Sequence, residues 1–234
     1  MSTSMSGSSS PRAVFMARVG LAGELAIPAG ATTLALVAHP TAAGRGHPGH
    51  RFMGDVLHAN GVATLSIGLR TAEEEARRAP PAGAAELVQR LRLVLEWLAV
   101  DAATRCLPVA LIGVHEAAAL CALAARQPGF EPIRSVVLLD GWVDLRDAEV
   151  AAWCQPTLCI AGRHGIARSG QPLAGARSLP PPHRLVKLPM QTQPRVCSGA
   201  FQAMACEVTS WLRLRMPSPR EPAAPAVDEL ASAQ

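Results

Sequence analysis

The chain has 234 residues, 49% hydrophobic and 17% charged, a globular composition that fits one domain. Its net charge of +4 comes almost wholly from arginine, with Lys187 the one lysine, and no basic run carries interleaved aromatics, which argues against a nucleic-acid partner. No apolar run reaches the ~18 residues of a membrane span, which argues against a membrane-embedded protein.

Residues 1–12 are Ser/Gly-rich without an apolar core, so they read as a disordered leader rather than a signal peptide, and a cytoplasmic location is expected. In that compartment the cysteines Cys106, Cys121, Cys154, Cys159, Cys197 and Cys206, none in a C-x-x-C pair, should be reduced and mostly fill core. Val19 to Ile27 suggests a strand ended by Pro28-Ala29-Gly30, and Thr32 to Ala38 a buried strand. A Gly/Pro/His loop runs from His39 to His50. A helix is expected over residues 51–59, stopped by Asn60-Gly61, then a strand over Val62 to Ile67. Leu87, Leu91, Val94, Leu95 and Leu98 recur at helical spacing, which predicts an amphipathic helix over 84–100.

Leu107 to Ile112 reads as a strand and Glu116 to Arg126 as a helix stopped by Pro128-Gly129. Strands are expected at Ser135–Asp140, Thr157–Ala161 and 184–188. Phe201, Met204, Ala205, Val208, Trp211 and Leu212 form a helical stripe with Ser198 as its N-cap. Residues 217–234, with four prolines, read as a disordered tail. Apolar strands separated by helices predict a mainly parallel sheet covered on both faces over residues 13–216. Ligands bind such sheets at the carboxyl ends of the strands.

One of those strand ends carries a distinctive turn. Leu107–Ile112 runs into Gly113-Val114-His115-Glu116-Ala117 and then a helix of small residues. This is the strand–turn–helix context of a nucleophile elbow, G-x-S-x-G, with His115 in the nucleophile slot.

With this elbow, Val19–Leu25, Leu36-Val37-Ala38-His39 and the stretch from Gly61 through Glu75, the chain resembles the dienelactone-hydrolase-like branch of the α/β-hydrolase family over roughly residues 13–215. The resemblance implies a three-layer α/β sandwich and an ester- or lactone-type hydrolase ancestry without a cofactor. It also places the catalytic positions: His115 for the serine, His164 in Gly162-Arg163-His164 for the acid, and Gln193 after the last strand for the histidine. The oxyanion loop corresponds to His39 and Pro40, with Glu116 following the elbow residue. Pro40 has no backbone N–H to donate.

A triad needs a hydroxyl, a base that accepts its proton and an acid that fixes the base's tautomer. Gln193 cannot take up a proton, and losing the serine or the histidine of such a triad costs on the order of 10⁶ in rate. The expectation is therefore a degenerate triad, inactive as a serine hydrolase, that retains a pocket for a small molecule or a partner. The alternative is a hydrolase of small esters or lactones using His115 itself or a histidine-held metal. His39, His115 and His164 each follow a central strand and could together hold a zinc-type ion, though the metal-free reading is preferred.

Gly44-Arg45-Gly46-His47-Pro48-Gly49 matches G-x-G-x-x-G but stands too far past its strand for a dinucleotide turn, so it reads as a glycine-rich loop. Glu73-Glu74-Glu75 with Arg77-Arg78 reads as a solvated helix face or loop. Asp140 and Asp144, near a strand end, are the nearest carboxylates to the crevice and could serve a displaced triad, although exposed loop acids are the plainer reading. Trp142 and Trp153 read as packing residues beside the pocket. Oligomeric state is not legible.

Overall fold

The computed structural model describes residues 10–78, 80, 82–141, 154–161, 182–188 and 198–216. Within them the strands are β1 (Arg12–Met16), β2 (Leu21–Ala26), β3 (Thr33–His39), β4 (Val62–Gly68), β5 (Val109–Val114), β6 (Ile133–Leu139), β7 (Thr157–Ala161) and β8 (His183–Lys187). The helices are α1 (Ala42–Arg45), α2 (Pro48–Ala59), α3 (Ala72–Ala76), α4 (Ala84–Val100), α5 (Glu116–Ala124) and α6 (Ser198–Arg215).

The strands form one sheet in the order β1-β2-β4-β3-β5-β6-β7-β8. The β1–β2 and β2–β4 pairs are antiparallel and the rest parallel. Two apolar clusters lie on opposite faces. Alternate residues of β3 divide between them: Leu34, Leu36 and Ala38 face α4 and α5, whereas Ala35 and Val37 face α2 and α6. β3 and β5 are buried throughout, as expected of strands covered on both sides. Trp211 of α6 donates its indole N–H to Ser135 Oγ at 2.8 Å, so the polar edge of this large buried side chain is matched.

The expected elements are present, with shifts of up to three residues at their ends, and β1 and α1 are additions to them. In place of a single strand at Val19–Ile27 there is a hairpin: β1 begins at Arg12, paired with Leu25, one residue inside the stretch assigned to the leader. The loop from His39 to His50 contains α1 and the first turn of α2. There Pro48 takes the first helical position and His47 caps it, its Nδ1 accepting from Gly49 N–H at 3.1 Å.

The acidic triplet is not a solvated face. Thr71 and Glu74 form a capping box at the start of α3. Glu74 also takes a two-pronged ion pair from Arg90 of α4, at 2.6 and 2.7 Å, while Arg90 donates to Leu69 O at 2.8 Å. This pairing holds the Glu74 carboxyl down at about 2, well below the usual carboxylate range. Glu75 Oε1 accepts from Ala42 N–H at 2.7 Å and so anchors the first turn of α1 to α3. Only Glu73, paired with Arg77 on the surface, keeps the expected role. Spacing along the chain could not show that Arg90, on the next helix, would turn inward to meet Glu74.

Candidate functional site

The carboxyl ends of β3, β5 and β6 converge on His115. Its backbone has φ 52° and ψ −123°, a region that side chains other than glycine rarely occupy. The turn is fixed from both sides: His115 N–H donates to Leu139 O at 2.9 Å, and Ala118 N–H donates to His115 O at 3.0 Å. Small residues make it possible. A Cβ on Gly113 would lie 2.6 Å from Ala118 Cα and 2.8 Å from Cys121 Sγ. One on Gly141, just past β6, would overlap Ala118 Cβ. The chain therefore folds the sharp strand-to-helix bend that the sequence signature predicts, and holds an imidazole on it.

That imidazole faces a carboxylate. His115 Nδ1 lies 3.8 Å from Asp140 Oδ2; the histidine side chain is 39% exposed and the aspartate 11%. Asp140 follows β6 with φ 48°, a left-handed conformation that aspartate tolerates, and its N–H donates to Ile160 O at 2.8 Å. It is thus a largely covered acid at the crevice, not the exposed loop acid expected from the sequence. Its place at the end of a strand adjoining the elbow strand already marks it in the sequence as a carboxylate near the crevice.

Around His115 stand further imidazoles. The ring of His50 lies 5.9 Å from that of His115, 4.9 Å from His39 and 5.1 Å from His47, and Phe201 of α6 closes the group against His47 and His50. His50 Nδ1 lies 2.9 Å from Gly44 O. A carbonyl only accepts, so Nδ1 carries the proton; burial also lowers the basicity of this ring, leaving Nε2 bare. His39 is 1% exposed, with Nε2 3.1 Å from Ser66 Oγ. Burial first, then the charges of His50, Arg45 and His115, push its pKa down to about 3, so it is neutral at physiological pH.

Of the residues expected at the site, the structure brings His39 and His115 to one crevice, with His50 of α2 between them. Glu116 opens α5 directly after the elbow, and Pro40 follows β3. His164, Gln193, Asp144, Trp142 and Trp153 lie outside the described residues, as does Cys197. Among the described residues no group of three or more His, Cys, Asp or Glu is arranged to hold a metal ion. Cys121 is fully buried two turns into α5, and burial raises its thiol pKa, so it is core as expected. No helix among the described residues is long and apolar enough to cross a membrane.

No protein-family model matches the chain. A dienelactone hydrolase crystal structure from Anabaena variabilis ATCC 29413 superimposes with a TM-score of 0.78 at 29% identity, covering 90% of this chain and 100% of that one. A dienelactone hydrolase-like promiscuous phosphotriesterase from metagenomic libraries gives a TM-score of 0.66 at 15% identity, covering 90% and 100%, a likeness of fold alone. Two Mycobacterium tuberculosis proteins, from strains CDC 1551 and H37Rv, are 34% identical over 144 residues and are named as phosphoribosyl transferases. That match takes in 62% of this chain, which spans about a third (32%) of the length of these curated relatives.

Proposed function

Because this chain has a dienelactone-hydrolase-like α/β-hydrolase fold, we propose that it is a relative of the ester and lactone hydrolases that does not use serine chemistry and keeps its crevice for binding a small molecule. The observation that carries this reading is His115 on the strained elbow, in the backbone conformation that would present a nucleophile. Residues 113–119 read Gly-Val-His-Glu-Ala-Ala-Ala, so no hydroxyl or thiol stands at the bend. Pro40, in the loop after β3, has no N–H to offer an oxyanion. His164 and Gln193, assigned to the acid and base positions by resemblance, would complete neither a proton acceptor nor its orienting acid. The transferase name of the mycobacterial proteins does not carry over, because most of their length has no counterpart here.

One observation favours a second reading. Asp140 beside Nδ1 of His115 could hold the imidazole with Nε2 directed at a substrate. Nε2 would attack an acyl carbon and expel the alkoxide, which takes a proton from water. Asp140 would steady the positive imidazolium until a second water cleaves the acyl group from nitrogen.

The readings are separated by treating the full chain with a fluorophosphonate probe and with short acyl esters and lactones. The first expects no labelling, no turnover and a rise in Tm with one of the esters or lactones. Turnover lost in His115→Ala supports the second instead. Labelling of any serine overturns both. The combined variant His115→Ser, His164→Asp, Gln193→His should restore esterase activity.

A further inference from the structure

A cavity of about 380 Å³ lies beside the crevice, lined in part by His39 and His50; His115 is not among its lining residues. Its floor is the α2-side face of the sheet where β2, β4 and β3 adjoin. Strand register places Glu24, Ser66 and Val37 in one row, and Ala26, Thr64 and Ala35 in the next. On the opposite face the same strands carry Leu25, Leu65, Ile67 and Leu36, all packed into core. One face is thus aliphatic, and the other presents a carboxylate and two hydroxyls.

Each hydroxyl is set by an imidazole. Ser66 Oγ lies 3.1 Å from His39 Nε2, and Thr64 Oγ1 lies 2.7 Å from His58 Nε2. Arg45 and Arg51 supply cations to the wall, and Asp55 a second carboxylate. Two buried nitrogens on lining residues, His39 Nδ1 and Arg45 Nε, have no hydrogen-bond partner among the described residues. Both are closed to solvent, and His39 Nδ1 faces Gly44, so the hydroxyls, guanidinium ends and carboxylates are the groups open to a ligand. Room for one exists at Gly54 of α2, where an added Cβ would meet nothing nearer than His58 Cε1 at 4.0 Å.

We propose that this cavity binds a small anionic polyol of monosaccharide size, a sugar phosphate or a sugar acid. The two arginines match the anionic end. Glu24, Asp55 and the imidazole-set hydroxyls match a row of ligand hydroxyls, which both donate and accept. The volume falls within the range of small-molecule sites. The inference is independent of how the elbow functions, since it uses none of the elbow's residues.

The test is calorimetric titration of the full chain with glucose 6-phosphate, gluconate, glucose and inorganic phosphate. At least one of the two acids should bind with a Kd below about 1 mM, and at least about tenfold more tightly than glucose or phosphate. Which acid binds identifies the source of the anion. Gly54→Leu adds a helix-favouring side chain in open space, so it should keep the Tm while weakening binding about tenfold or more. Arg45→Ala should weaken binding of the acid and leave that of glucose unchanged. The proposal is overturned if neither acid binds at about 10 mM, if phosphate alone binds as tightly, or if binding survives Gly54→Leu.

Discussion

His115 Nδ1 and Asp140 Oδ2 stand 3.8 Å apart at the ends of two adjacent parallel strands, although 24 positions separate them in the chain. Both residues have positive φ. Two neighbouring strand ends are bent outward so that an imidazole and a carboxylate meet over the crevice. If His115 carries any ester turnover, His115→Ala should reduce it to the background rate and Asp140→Ala should reduce it by less. The double variant should fall no further than His115→Ala, because residues that act as one unit are not additive. Steady-state rates on 4-nitrophenyl acetate decide this, and additive losses would mean the pair does not work together.

The strain at the elbow can be measured directly. A residue other than glycine in so sparse a region costs of order 1–3 kcal/mol, while glycine adds about 0.5–1 kcal/mol of unfolded-state entropy. His115→Gly should therefore stabilise the fold by about 1 kcal/mol, a rise of roughly 2–4 °C in Tm by calorimetry. A fall in Tm would mean that the imidazole's contacts outweigh the backbone strain.

Glu74 and Glu86 both pair with Arg90, but their surroundings differ. The Glu74 side chain is 22% exposed and that of Glu86 59%. Glu74→Gln removes the two-pronged partner of a largely buried cation and should cost about 2–4 kcal/mol in urea denaturation. Glu86→Gln, on the surface, should cost less than about 1 kcal/mol. Equal losses would show that the network, rather than the inner pair, fixes α3 against α4.

The histidine cluster gives stability a pH dependence of known sign. Folded His39 resists protonation down to about 3, whereas the unfolded imidazole takes a proton near 6.5. The unfolded state therefore binds more protons in that window. Stability is full above 6.5 and declines as pH falls toward 3, by at most about 1.4 kcal/mol per pH unit for this one group. His50 and His58 act in the same direction. Glu74 contributes only below its ordinary range, so the interval from about pH 7.5 to about pH 5 isolates the imidazoles. The urea midpoint should drop across that interval and drop less in His39→Asn; a flat profile would refute the assignment.

Most of the succession of strands and helices, the elbow and its histidine are legible along the chain, whereas β1 and α1 are not. The legible parts rest on local signals: apolar runs, helical spacing, and a glycine with small alanines where a sharp turn must fit. Folding in three dimensions is what covers Asp140 and turns it to His115, brings Glu74 to Arg90, and sets Glu24, Ser66 and His39 on one polar floor. Each of these depends on strand order and register, which bring distant segments side by side. A single chain read along its length carries no term for a partner dozens of residues away, because burial and charge pairing are set by packing across the sheet.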